Sequence, residues 1–218
     1  MTKTIRHKIV EAARKRFTHY GYSKTTMAEV ASDCNMSPGN LYRYFPGKLD
    51  IAEEIGRETS AELRRQVAEA VAAAGPGAAA KLRAYFISML ELTFGQVQYN
   101  EKVHEIVLLM RSERPEHWHR YMEEDRLAIS RLLQEGVASG EFSVADPAWT
   151  AEVLYAAVFK FRYSQLIDDT PLDQLRRELN ALLDMLLCAL TAGLGDRTAA
   201  AGGRSGASLS QSNISEMM

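Results

Sequence analysis

Cysteine is nearly absent from this chain: 218 residues hold two, Cys34 and Cys188, far apart and outside any metal or redox spacing. That excludes a disulfide framework and a thiolate metal site, and both thiols are expected to be buried or half-buried. Long apolar runs are missing too. None approaches the roughly 20 residues of a membrane span, and the opening MTKTIRHK lacks the apolar core of a signal peptide. A cytoplasmic chain with no membrane partner is expected. Catalytic signatures are also missing: there is no phosphate loop, no nucleophile elbow and no His-Glu-x-x-His pattern. His117 and His119 are two apart, so on a helix their rings diverge, and no metal site is expected. Neither strand alternation nor an internal repeat is found. What remains is an all-α chain, expected to be no enzyme and to need no cofactor.

Apolar content of 46% and charged content of 25% are ordinary for a globular protein. The net charge of −2 matters less than its distribution. Residues 1–50 hold nine Lys/Arg against four Asp/Glu, and residues 51–218 hold seventeen against twenty-four. A basic head on an acidic body suits a nucleic-acid end and a body that stays off it.

The most informative stretch is TTMAEVASDCNMSPGNLYRYFPGK, Thr25 to Lys48. Thr26 followed by Glu29 is a capping box, opening a helix that closes at Cys34-Asn35, with Asn35 suited to the left-handed conformation. Ser37 caps a second helix and Pro38 fits its first position. That helix runs from Pro38 to Phe45 and stops at Pro46. Leu41 and Phe45 face inward together, leaving Gly39, Asn40, Tyr42, Arg43 and Tyr44 outside. So short a helix needs the preceding one as a platform. Its Asn, Tyr and Arg side chains suit a DNA major groove. A surface helical hairpin with a polar face fits the spacing equally well.

The segment from about Ile5 to Ile55 resembles the DNA-binding domain of the TetR family of bacterial transcriptional regulators. The likeness rests on Ile9, Ala12-Ala13, Phe17, Gly21-Tyr22, Thr25-Thr26, Val30-Ala31, Met36-Ser37, Leu41-Tyr42, Tyr44-Phe45 and Lys48. The family usually has Gly in the inter-helix turn where this chain has Asn35. The resemblance implies a three-helix DNA-binding domain over 1–47 and a helical effector-binding and dimerisation domain over 48–195. It also implies a homodimer through the last two long helices, a palindromic operator and a small-molecule effector. Asn40, Arg43 and Tyr44 are candidates for base edges. Lys24, Thr25, Thr26, Ser37, Tyr42 and Lys48 are candidates for phosphates, with Pro38 and Gly39 on the same surface.

Nine helices are expected in all. The first spans 4–20, with Ile5, Ile9, Ala13 and Phe17 as its buried stripe and its Arg and Lys mostly a solvated face. The fourth runs from Gly47-Lys48 to about Ala73, roughly 40 Å, and Gly75-Pro76-Gly77 turns the chain. Then follow helices over 78–96, 100–112 and 115–139. Asp146-Pro147 opens an eighth to about Ile167, and Thr170-Pro171 repeats the device for a ninth to about Ala192. Residues 196–218 are expected to lack fixed structure. Leucines from Leu175 to Leu190 give the ninth helix a face wide enough for a second copy, or for the chain's own core.

Phe86, Met89, Phe94, His104, Met110, Trp118, Tyr121, Met122, Tyr155 and Phe159 are candidates to line an effector pocket, given the adaptability of Met and aromatic side chains. A packed core accounts for the same residues. Lys160 and Arg162 sit inside an apolar stretch. They could hold an anionic head group or pair with an acid across the dimer interface. The expected function is a repressor released from its operator by a small apolar or aromatic ligand. The alternatives are a DNA-binding regulator with no small ligand, controlled by a protein partner, or an activator. A helical enzyme is a third class, for which no constellation is found.

Overall fold

A computed structural model describes residues 4–98, 101–162 and 170–193. These form ten helices and no strand: α1 (Ile5–Tyr20), α2 (Met27–Asp33), α3 (Pro38–Tyr42), α4 (Lys48–Ala73), α5 (Ala78–Gln98), α6 (Glu101–Glu113), α7 (Pro115–Ala138), α8 (Pro147–Ala157), α9 (Phe159–Arg162) and α10 (Leu172–Thr191). No described helix is long and apolar enough to cross a membrane.

The boundaries follow local chemistry. Thr4 caps α1, its hydroxyl accepting from the His7 N–H. Glu141 reaches back to cap the start of α5, accepting from the amides of Ala78 and Ala79 at 2.6 and 2.9 Å. Asp146 accepts from Ala148 and Trp149 at the start of α8. Gly140 turns the chain at φ +74 after α7. The carbonyl of Gly136 then accepts from the Glu141 and Phe142 amides, and the Phe142 ring folds over Gly136.

Two cores result. The first holds Ile9, Val10, Ala13 and Phe17 of α1 with Val30, Leu41, Phe45 and the start of α4. The second gathers the rest of α4 with α5, α7, α8, α9 and α10, and includes Ile129, Leu133, Leu175, Leu179 and Leu183. Helix α4 belongs to both: Ile51, Ala52 and Ile55 sit in the first, Leu63 and Val67 in the second. That shared membership makes it the mechanical link between them.

Several expectations need correction. The count is ten helices among the described residues, not nine, because the expected eighth breaks at Val158. There the backbone leaves the helix at φ −98, ψ 6, and the Phe161 amide donates to the Val158 carbonyl in a tighter turn. The expected end of that helix, 163–167, and the tail at 196–218 lie outside the described residues. Ile5 is 46% exposed, one turn beyond the reach of the first core. Pro171 itself is the cap residue of α10, and it makes no side-chain cap bond. Cys34 is half-buried as expected, but Cys188 is exposed on the outer face of α10.

Candidate nucleic-acid interface and body cavity

The α2–turn–α3 unit forms as its caps dictate. Thr26 and Glu29 make both halves of the capping box, at 3.3 and 2.8 Å. The Thr26 amide first, and then its hydroxyl, hold the Glu29 carboxyl below the usual range. Cys34 closes α2, and Asn35 takes φ 55, the left-handed conformation expected of it. The Ser37 hydroxyl accepts from the Asn40 amide at 3.2 Å, and Pro38 occupies the first turn of α3. Regular helix ends at Tyr42, three residues short of the expected Phe45, and Arg43 already acts as its cap.

Leu41 and Phe45 are fully buried, so the opposite side of α3 must face outward. Pro38, Gly39, Tyr42 and Arg43 are exposed there, with Asn40 and Tyr44 half-buried. Lys24, Thr26 and Ser37 are exposed alongside. Among the described residues no ion pair engages Lys24 or Arg43, so both charges face solvent.

Two of the sequence candidates work inside the head. Thr25 is 1% exposed, and its hydroxyl donates to the Gly21 carbonyl at 2.9 Å. The Lys48 ammonium donates to the carbonyls of Tyr22 and Thr25 at 2.7 and 2.8 Å and lies 4.1 Å from the Tyr22 ring centre. Burial in that seat lowers its pKa from the usual lysine value. Lys48 therefore fastens the first residue of α4 to the turn before α2. Other basic residues read as a solvated face are also fasteners. Arg16 pairs with Asp33 and Glu29 of α2, and Arg14 reaches Thr59 and Glu58 of α4 at 2.7 and 3.0 Å.

The body grips the head through α6. The Glu105 carboxylate accepts from the amides of Tyr22 and Ser23 at 3.1 and 3.0 Å and from the Ser23 hydroxyl. These bonds, led by the hydroxyl, hold its pKa below the usual carboxylate value. At the corner between α6 and α7, Arg114 meets Asp50 and Glu53 of α4 at 3.3 and 3.1 Å, and His117 lies 2.7 Å from Glu53.

The body also holds a small cavity of about 20 Å³, room for a water-sized guest. Tyr85, Phe86, Met89 and Leu90 of α5 form one wall, and Asp125 and Ile129 of α7 another. Tyr155, Val158, Phe161, Arg162 and Leu179 complete it. Of the ten candidate pocket residues, the structure brings three to this cavity: Phe86, Met89 and Tyr155. Phe94 is buried elsewhere in the same core. Met110 packs in the head core instead, because the end of α6 lies against that domain. Trp118, Tyr121 and Met122 are half-buried on α7, Tyr121 beside Gly56 of α4. Phe159 is 41% exposed. His104 lies on α6, but its side chain is outside the described residues.

Lys160 and Arg162 each meet an acid of their own chain. Lys160 meets Glu178 of α10 at 2.8 Å, and Arg162 meets Asp125 at 2.9 Å. Asp125 went unnoticed in the sequence because it sits in the charged run Glu123-Glu124-Asp125-Arg126. A signal was present: Asp125 lies four residues before the core residue Ile129, on the buried face of α7.

Residues 9–55 match the model of bacterial regulatory proteins of the tetR family, and residues 78–183 match that of the tetracyclin repressor-like C-terminal domain. The chain belongs to the TetR family. It is a DNA-binding transcriptional regulator of helix-turn-helix type, in a family that is not enzymatic. An uncharacterized HTH-type transcriptional regulator of Bacillus subtilis, YhgD, is 28% identical over 174 residues, 76% of this chain and 86% of its own. Among solved structures, a transcriptional regulator from Cytophaga hutchinsonii is similar with a TM-score of 0.65 at 24% identity, over 84% of this chain and 96% of that one. A TetR-family regulator from Rhodococcus has a TM-score of 0.63 at 19% identity, over 84% and 98%. At these identities the structural likeness concerns the fold.

Proposed function

We propose that this TetR-family regulator is a repressor that binds a two-fold symmetric operator as a homodimer and is released by a small ligand in the body. Residues 1–47 are the DNA-binding unit and 48–195 the dimerisation and effector unit. The observation that carries the reading is the latch between the parts. Glu105 and Lys48 fix the turn before α2, so a shift of α6 or α4 reorients the exposed face of α3. Asn40, Arg43 and Tyr44 meet base edges, and Lys24, Thr26, Ser37 and Tyr42 meet phosphates. Thr25 and Lys48 brace that surface from within.

The dimer forms through α8 and α10. Trp149 and Val153 on α8 are 58% and 46% exposed, and Met185 on α10 is 72% exposed, an apolar surface suited to a second copy. Pairing there sets two α3 helices about 34 Å apart, the spacing of successive major grooves. Ligand binding releases DNA only if the ligand prefers the other spacing. A second reading, regulation by a protein partner without a small ligand, draws support from the size of the cavity, which admits little without rearrangement.

The test is a gel shift on DNA flanking the chain's own gene, across a salt series. Steep loss of affinity with salt and protection of a symmetric site are expected. Tyr42→Ala should weaken binding to every sequence, and Asn40→Ala should change sequence preference. Equal losses on all sequences for both variants would overturn that division of roles. Failure to select any site from random DNA would overturn the operator reading.

A further inference from the structure

The exit from α3 is held by a residue of another helix. Regular helix ends at Tyr42, and Pro46 offers no amide to continue it. The Tyr44 carbonyl accepts from Arg6 Nη1 of α1 at 2.9 Å. The Arg6 guanidinium lies over the Phe45 ring, 4.1 Å from its centre, and Arg6 Nη2 is 3.7 Å from Glu54 Oε2 of α4. Glu54 is itself gripped by Arg57 at 3.1 and 2.6 Å. Arg57 first, and Arg6 after it, hold the Glu54 carboxyl below the usual carboxylate range, so the anchor stays charged. Helix α4 therefore reaches both ends of the α2–turn–α3 unit: the turn before α2 through Lys48, and the exit from α3 through Glu54 and Arg6.

So short a helix has few points that fix its orientation. Within α3 the core holds one side chain, Leu41, and just beyond it Phe45. Two buried anchors four residues apart set where the helix lies, and rocking about the line that joins them is what they restrain least. The Tyr44 carbonyl is a third point, and Arg6 pins it. Arg43 and Tyr44 stand at this exit, whereas Asn40 stands at the start, next to the Ser37 cap. Charge alone does not explain the seat of Arg6. An ammonium carries the same charge, but only a planar guanidinium lies over a ring while its edge donates to a carbonyl and faces a carboxylate.

We propose that Arg6 is a positioning residue for DNA recognition: anchored on α4 by Glu54, it fixes the orientation of the Arg43–Tyr44 exit of α3 and so aims those two side chains at their base pairs. The inference rests on the reading of Arg43 and Tyr44 as base contacts and names what aims them. Sequence alone places Arg6 among the solvated residues of α1, because the carbonyl, the ring and the carboxylate that hold it all come from distant positions. The rival role for a half-exposed arginine in a DNA-binding head is a phosphate contact, which weakens with salt and carries no sequence information.

The experiment is fluorescence anisotropy of the whole chain on a site selected from random DNA, and on versions of that site with each base pair changed singly, across a salt series. Discrimination is the ratio of affinities between the selected site and each changed one. Arg6→Lys should lose at least about fivefold in discrimination at the base pairs that Arg43→Ala and Tyr44→Ala also relax. It should keep the salt slope of the parent and its preferences at the pairs that Asn40→Ala relaxes. Arg6→Met should show the same pattern, and Glu54→Gln a smaller loss at the same pairs, about twofold to threefold. Uniform weakening on every sequence, with the salt slope reduced by about one in Arg6→Met and kept in Arg6→Lys, would make Arg6 a phosphate ligand and overturn the proposal. A lower melting temperature with every base preference kept would make Arg6 a structural brace only, and would overturn it too. Arg6→Lys decides even if Arg6→Met fails to fold. The same data separate the two readings. If the Arg43 and Tyr44 variants relax base preferences and Arg6→Lys does not, the base contacts stand and Arg6 does not aim them. If the Arg43 and Tyr44 variants keep every preference, the base-contact reading falls. Arg6 then keeps a positioning role if Arg6→Lys by itself shifts a preference, and loses it if Arg6→Lys does not.

Discussion

Gly39 in the head and Gly136 in the body meet opposite surroundings. A Cβ added at Gly136 would lie 2.1 Å from the Phe142 ring, while one at Gly39 would meet nothing within 4 Å. Both glycines lie in helices, where glycine is less favourable than alanine by roughly 0.5–1 kcal/mol. In the body the chain itself explains the choice: Phe142, 4% exposed, closes over Gly136. In the head no described residue does. The bare backbone of α3 leaves open space at Gly39, on the face proposed above to meet DNA. One glycine is explained by the packing around it, the other only by the proposed contact with DNA.

Three changes put that contrast at risk. The largest effect is expected from Gly136→Ala. It must push a buried ring aside, so the body should lose about 1–3 kcal/mol, read as a lower denaturation midpoint with DNA affinity unchanged once folded. Gly39→Ala should do the opposite. Stability should rise by up to about 0.5–1 kcal/mol, while operator affinity drops. A variant that binds DNA as well as the parent would remove the outside-partner reading. The smallest effect is expected from Glu105→Gln, at the latch between the two regions. The folded pKa of Glu105 is lowered, so its contribution is fully present above the ordinary carboxylate value and disappears as pH falls through the lowered one. In melts taken between about pH 5 and pH 3, the parent should lose stability through this group and the glutamine variant should not. Parallel curves would show that Glu105 does not hold the head.

The head was legible in the sequence because its decisive contacts are local. Thr26 with Glu29, Asn35 and Ser37 with Pro38 each act within a few residues of themselves. Sequence alone therefore places the α2–turn–α3 unit and the conformation of its turn. The bounds of α4 were legible for a similar reason, set by Gly47 and by the Gly-Pro-Gly turn. The body was legible as helices but not as a site. Arg162 stands out as a cation in an apolar run, but its acid lies 37 positions away on another helix. No proline or glycine marks the break at Val158. Met110 reads as any core methionine until α6 is seen to end against the head. The seat of Lys48 was hidden for the converse reason: an exposed-looking lysine beside a DNA-binding helix reads as a phosphate ligand, and only folding brings two carbonyls to it.

That lysine has a mechanical consequence. Lys48 at the tip of α4 and Arg14 on α1 bind the head to the long helix at two points, so the two move as one stiff arm. Over 26 residues the arm is about 39 Å long. A swing of about 5° at its far end carries its tip through about 3 Å, the length of a hydrogen bond. A motion too small to disturb the packing of the body can therefore decide whether a base edge is within reach.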